Sequence, residues 1–154
     1  MIKLRWFGTA ALLAACGGRN TAPIQPANTA AGAVTSFMQA VADSNVVKMA
    51  SLWGTSKGPA SKTGQPADWE RRVAIMQAYL RNDSYRLTSE VPETDSRRAL
   101  QVEIKRQTCT WTVPFVAIKT GDGSWVVTRV DLAAAGNPAR PCVEGQQRDT
   151  TGQG

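Results

Sequence analysis

The 154-residue chain has no histidine. That removes the usual general base near neutral pH and the commonest metal ligand. Cysteine is scarce, three residues in all. Once one of them is set aside below, the remaining pair without histidine is a poor set for zinc, which takes four ligands. The uncharged stretch Trp6–Ala15 is ten residues long, whereas a helix needs about 20 to cross the hydrocarbon core. No internal repeat and no catalytic motif is visible, so composition alone points to no chemistry.

What the N-terminus does contain is an address. Lys3 and Arg5 precede the apolar stretch, which stops at Leu13-Ala14-Ala15-Cys16. A basic start, a short apolar run and small residues at a cut form a secretory signal peptide. Leu13-Ala14-Ala15-Cys16 resembles the lipobox of bacterial lipoproteins. The resemblance implies that Cys16 is alkylated by diacylglycerol and becomes the acylated first residue of a 139-residue mature chain. One acyl chain anchors only marginally, whereas two or three hold a protein on a membrane. Gly17 stands where inner-membrane members of that class often carry Asp, so the resemblance implies the outer membrane, facing the periplasm.

Without Lys3 and Arg5 the chain keeps 16 basic residues against 12 acidic ones, a net charge of +4. Basic proteins often meet nucleic acid, but a secreted lipoprotein rarely does, and no nucleic-acid partner is expected. Arg71-Arg72, Arg97-Arg98 and Lys105-Arg106 are read as solvated faces, with anionic lipid or envelope polymer as the other reading.

Residues 1–15 are thus the signal segment, and 16–29 a flexible tether rich in Gly, Pro, Asn and Thr. One domain follows, over 30–135. Val34, Phe37, Met38 and Val41 recur at helical spacing and predict a helix over Ala30–Ala42. Asp43-Ser44-Asn45 interrupts it and caps a second, with Val46, Met49, Leu52 and Trp53 inward. Gly54 suits a left-handed helix end, and residues 55–65 read as a loop. Pro66 opens a third helix, with Trp69, Val73, Met76 and Leu80 inward and an end near Arg81. From Tyr85 the period becomes two. Four antiparallel strands follow, the last pair joined by a hairpin turn at Gly121-Asp122-Gly123. Pro114 cannot donate to a ladder and marks an edge or a bulge. The fold class is α+β: three N-terminal helices on a curved antiparallel sheet of about four strands.

This order, with "AVTSFMQAVADSNVVKMASLWG" early and "GDGSWVVTRVDL" late, resembles the nuclear transport factor 2-like cone fold, which includes ketosteroid isomerase. The resemblance covers about Ala30–Ala134. It implies a pocket between the sheet and the long helix, and a homodimer through the open face of the sheet as one arrangement. Enzymes of that superfamily place a carboxylate base and hydrogen-bond donors in the pocket, but no position here matches such a motif. The candidate pocket residues are Trp53, Trp69, Tyr79, Tyr85, Trp111 and Trp125, with packing in the core and at its rim as the alternative for each. Among acids, Asp83 reads as a turn residue and Glu90 as an outer-face residue.

Cys109 and Cys142 remain as an even pair in an oxidising compartment. Residue numbers paired across the last hairpin sum to about 244, which sets Cys109 opposite Ala135. The proline-rich stretch after Ala135 can fold back, so a Cys109–Cys142 disulfide is expected, pinning an irregular tail over 136–154. The functional expectation is a non-catalytic, membrane-anchored module for a small apolar ligand or another envelope protein, with no cofactor and no metal. A structural subunit of an envelope assembly, and an isomerase- or dehydratase-type enzyme, are the other readings.

Overall fold

The computed structural model describes residues 25–140 and Cys142. The lipidation expected at Cys16, the signal segment and most of the tether lie outside the described residues. Thr29 caps the first helix, α1 (Ala30–Ala42), its hydroxyl accepting from Gly32 N at 3.0 Å. Phe37 and Met38 on its inner side are fully buried. Ser44, at φ 52°, reverses the chain. Asn45 then caps α2 (Val46–Leu52) through Lys48 N at 2.9 Å, so this second cap matches the polar interruption in the sequence.

Two expectations fail here. Val46 is 45% exposed rather than inward, because the first turn of α2 follows the exposed stretch 42–45 at the rim. Gly54 does not end a helix in the left-handed region. Trp53 closes α2 in extended geometry, and Gly54 runs on into β1 (Gly54–Thr55). A Cβ on Gly54 would strike the Gly58 carbonyl oxygen, so glycine is needed there for close approach.

The stretch 55–65 is more ordered than a loop. β1 pairs with β2 (Gly58–Pro59) in a two-residue hairpin, and one helical turn follows, α3 (Ala60–Thr63). The next helix, α4 (Trp69–Leu80), starts three residues after Pro66 and buries Val73, Met76 and Leu80. There are therefore four α-helical segments among the described residues, against three expected.

The sheet is a meander of β3 (Ser84–Thr94), β4 (Arg97–Arg106), β5 (Cys109–Lys119) and β6 (Trp125–Val130). Its inner face presents Leu100, Val102 and Ile104 from β4, with Val113, Phe115 and Ala117 from β5, all buried. Phe37 of α1 meets Phe115 edge-on, with centroids 6.3 Å apart and planes at 71°. Aromatic pairs favour that arrangement. The space between α1 and the sheet is thus filled by side chains.

Three register shifts, at Leu87/Ser89, Pro92/Thr94 and Val116/Ala117, modify the alternation. Leu87 pairs with Val102 but Ser89 with Gln101, leaving Thr88 as the extra residue. One added residue reverses the faces beyond it. Glu90 therefore lies opposite inward-facing Leu100, not on the outer face, and Val91 turns out to 56% exposure. In the last hairpin Lys119–Trp125 through Ala117–Val127 keep the expected register, then Val116 pairs with Arg129. Pro114 lies just past the end of that ladder. Its carbonyl accepts from Asp131 N at 2.9 Å, and in an extended strand a residue's N–H points to the same side as its C=O. The missing donor therefore costs no bond to β4; β5 is an inner strand, so Pro114 marks the end of the ladder with β6 and not the edge position expected.

Because β6 stops at Val130, Cys109 does not lie opposite Ala135 in the ladder. A 3-10 turn, Leu132–Ala135, carries the chain across instead. Cys109 and Cys142 are joined by a disulfide, with Cα atoms 5.9 Å apart. Beside it the Arg106 guanidinium stacks 4.7 Å from the Trp111 ring. Its Nη2 donates to Tyr79 O at 3.1 Å and Ala135 O at 2.7 Å. Gly136, at φ 70°, passes so close to Trp111 that a Cβ would overlap the indole.

Truncating Phe115 to Ala should cost about 3–5 kcal/mol in urea unfolding, the range for a buried Phe. Because the rings touch, Phe37→Ala combined with Phe115→Ala should cost less than the two singles summed; strict additivity would contradict the packing described. Cys142→Ser should cost about 3–4 kcal/mol, the loop-entropy value for closing 33 residues.

Candidate functional site

A concavity lies outside the sheet–helix interior, along the edge of β6 that does not face β5. Two segments from elsewhere in the chain meet that edge. Ala27 bridges Trp125 in antiparallel sense, with Trp125 N donating to Ala27 O at 2.8 Å, and Trp53 bridges Val127 in parallel sense. Between them opens a groove of about 520 Å³. One wall is Val47, Ser51 and Leu52 of α2, and the other is the β5–β6 turn with Thr120, Asp122 and Ser124. Pro26 and Ala27 supply apolar surface over the nearly buried Trp125 and Val126, and the β1–β2 hairpin with α3 forms a rim carrying Lys57 and Lys62.

The hairpin can form this rim because Gly54 lets β1 and β2 meet backbone to backbone. Gly58 at φ 127° permits the reversal. Ala60 N then donates to Trp53 O at 2.8 Å, tying the rim to the end of α2.

The acid in the groove is held by its own turn. Asp122 Oδ1 accepts from Thr120 Oγ1 at 2.5 Å, Ser124 Oγ at 2.6 Å and Ser124 N at 3.1 Å. Hydrogen bonds from the Ser124 and Thr120 hydroxyls, helped by the Ser124 amide and the charge of Lys62, bring its pKa down to about 2. Donors that favour the ionised form hold a carboxylate charged, so Asp122 is an anion at every physiological pH. It is a structural turn residue, with Oδ1 engaged by three donors. Thr120 is the one buried polar or charged residue among the described residues, and no cluster of three or more metal-ligating side chains occurs among them.

The six aromatic residues named from the sequence do not converge. Trp125 alone lines the groove, 7% exposed, with the Arg98 guanidinium 5.5 Å from its ring centre. Trp53 is buried in the core, and Trp69 packs half-buried against it. Trp111 lies at the opposite end under Arg106, where Tyr79 gives that arginine its carbonyl. The Tyr85 hydroxyl donates to Thr35 O at 3.3 Å, and burial together with the charge of Asp43 raises its pKa. Tyr85 also edges a smaller hollow of about 190 Å³ on β3 and β4. Asp83 is a turn residue as expected, its carboxylate accepting from Gln107 N at 2.7 Å. Glu90 is 3.8 Å from Arg98.

Sequence reasoning missed the groove because its parts come from four separate segments. The signal that was present is the pair of glycines flanking the short hairpin, read there as loop composition.

No family model matches the chain, and no curated protein matches it in sequence. Two solved structures resemble it in shape. One is an NTF-2-like protein of unknown function from Shewanella oneidensis MR-1. It is 11% identical with a TM-score of 0.43, the likeness covering 65% of this chain and 92% of that one. The other is a candidate ketosteroid isomerase from Shewanella frigidimarina NCIMB 400. It is 16% identical with a TM-score of 0.46, the likeness covering 66% of this chain and 93% of that one. No residue role passes from either to this chain.

The Asp122 geometry predicts a pH dependence. A carboxylate held at about 2 when folded and near 4 when unfolded stabilises the fold above pH 4, and that stability is lost as pH falls toward 2. Thermal melts of the wild type should therefore decline more steeply between pH 4 and 2 than those of Asp122→Asn. Parallel declines would show that the turn does not hold the anion.

Proposed function

We propose that the chain is a membrane-anchored envelope lipoprotein whose domain acts without catalysis, binding a small apolar ligand or another envelope protein in the groove along β6. The observation that carries the reading is the groove itself: apolar surface from Val47, Pro26 and Ala27 over the buried Trp125, Val126 and Leu52, with its one acid, Asp122, committed to the turn beside it. A carboxylate engaged in this way and ionised throughout the physiological range is ill suited to proton transfer, which works best with a pKa near the operating pH.

The anchor is Cys16, acylated after removal of residues 1–15, and the surface is the outer membrane facing the periplasm. The Cys109–Cys142 disulfide supports an oxidising compartment, since such bonds are rare in reducing cytosol. Ala27, paired with Trp125, is the point where the tether joins the fold. The outer face of β5 carries half-exposed Pro114, Val116 and Ile118, the surface on which a second copy would pair.

Mass spectrometry of the protein extracted from its own envelope tests this reading. Denatured, it should show loss of residues 1–15, acyl chains on Cys16 and two hydrogens fewer for the joined cysteines; an intact N-terminus would overturn the anchor. Cys16→Ser should leave the membrane fraction. In the native spectrum a retained small molecule or partner protein is expected, and its loss in a groove-filling Ser61→Trp variant would locate it. Retention unchanged in Ser61→Trp would remove the groove from the reading.

A further inference from the structure

At the end of the domain opposite the groove, one short segment is held by little besides a covalent bond. Asn137–Arg140 are all exposed. Their hydrogen bonds stay within the segment, Ala139 N donating to Asn137 Oδ1 at 2.9 Å and Arg140 N to Asn137 O at 3.1 Å. Cys142 then returns the chain to the sheet through its bond to Cys109 at the start of β5. Both cysteines are half-buried, so the disulfide meets solvent. Arg106 pairs with Cys109 across β4 and β5, and its Nε is buried without a hydrogen-bond partner among the described residues. The acid whose charge acts on Arg106 is Asp83, its carboxylate engaged by Gln107 N. The Thr108 hydroxyl lies 3.3 Å from Cys142 Sγ. Gly136, where the segment leaves the fold, lies against the half-buried Trp111 indole.

We propose that the Cys109–Cys142 disulfide is a site of thiol–disulfide exchange with a dithiol reductant, and that its reduction lifts 136–142 from Trp111 without unfolding the sheet. In the first step a thiolate of the reductant attacks Cys109 Sγ. The S–S bond breaks, and Cys142 leaves as a thiolate that carries the bond pair and accepts a hydrogen bond from the Thr108 hydroxyl. Nearby positive charge favours a thiolate, and Arg106 supplies it. The better-stabilised thiolate leaves faster, which assigns Cys142 to depart and Cys109 to form the mixed disulfide. The reductant's second thiolate then displaces Cys109. Two electrons pass from the dithiol, which closes to its own disulfide, and the two protons it gives up end on Cys109 and Cys142. Breaking the bond removes a loop-closure contribution, but the core rows of β4 and β5 are packed by α1 and not by this segment. Neither the groove nor the anchor at Cys16 is needed for this exchange.

Dithiothreitol treatment of the folded 154-residue Cys16→Ser chain, followed by hydrogen exchange, tests this. The pair should reduce in native buffer. Amide exchange over Gly136–Arg140 should then rise about tenfold or more, while the amides of β4 and β5 stay protected. Acrylamide should quench the fluorescence more strongly after reduction, and that gain should vanish in Trp111→Phe. Thr108→Val should slow the reduction about threefold or more, and Thr108→Ser should restore the rate. A disulfide that yields only once the chain is unfolded in urea would overturn the exchange site. Loss of protection across β4 and β5 on reduction would show a bond that fastens the whole fold. Unchanged exchange over Gly136–Arg140 would show a segment held without the bond, and either result overturns the release. A reduction rate indifferent to Thr108→Val would remove Cys142 as the leaving thiolate.

Discussion

The candidate site depends on one strand edge. β6 is paired on one side with β5 along its length, and on the other it is held at two points, by Ala27 at Trp125 and by Trp53 at Val127. Edge strands offer unpaired backbone groups that must be met or covered, and here segments 98 and 74 residues upstream in sequence meet them. These bridges bring the start of the domain and the end of α2 to the same place. The groove is the space left between them, so its existence follows from how the edge is closed.

The groove that results lies outside the helix–sheet interior. Phe37 against Phe115, with the aliphatic rows of β4 and β5, fills the space between α1 and the sheet. The open volume moves outward, to a surface where the hairpin β1–β2 and the helical turn α3 build a rim. That rim depends on Gly54, where any side chain would strike the opposing backbone.

The opposite end of the domain is fastened by different means. Arg106 ties the end of α4 to the 3-10 turn through two carbonyl oxygens, covers Trp111, and stands beside the Cys109–Cys142 link. Stacked guanidinium and disulfide together hold a tail that has few apolar residues of its own. Trp111 and Trp125 thus carry the same cation-over-ring contact at two ends of the fold, one closing it and one beside the groove.

Much of this was legible in the residues because it depends on local periodicity. The bounds Ala30–Ala42, the capping Asn45, the alternation of Leu100, Val102 and Ile104 and the turn at Gly121-Asp122-Gly123 all follow from spacing and turn chemistry, which act over a few residues. The disulfide partners followed from counting cysteines, although the chain reaches Cys142 through the turn Leu132–Ala135 and not by continuing the hairpin. Tertiary structure alone decided the rest. A one-residue bulge at Thr88 reversed the faces of Glu90 and Val91, since strand faces depend on pairing rather than on composition. The six aromatic candidates separated, because which side of a layer meets which neighbour is set by packing. Only the closing of the β6 edge brought Leu52, Lys62, Asp122 and Trp125 to one groove, a juxtaposition no stretch of this sequence encodes by itself.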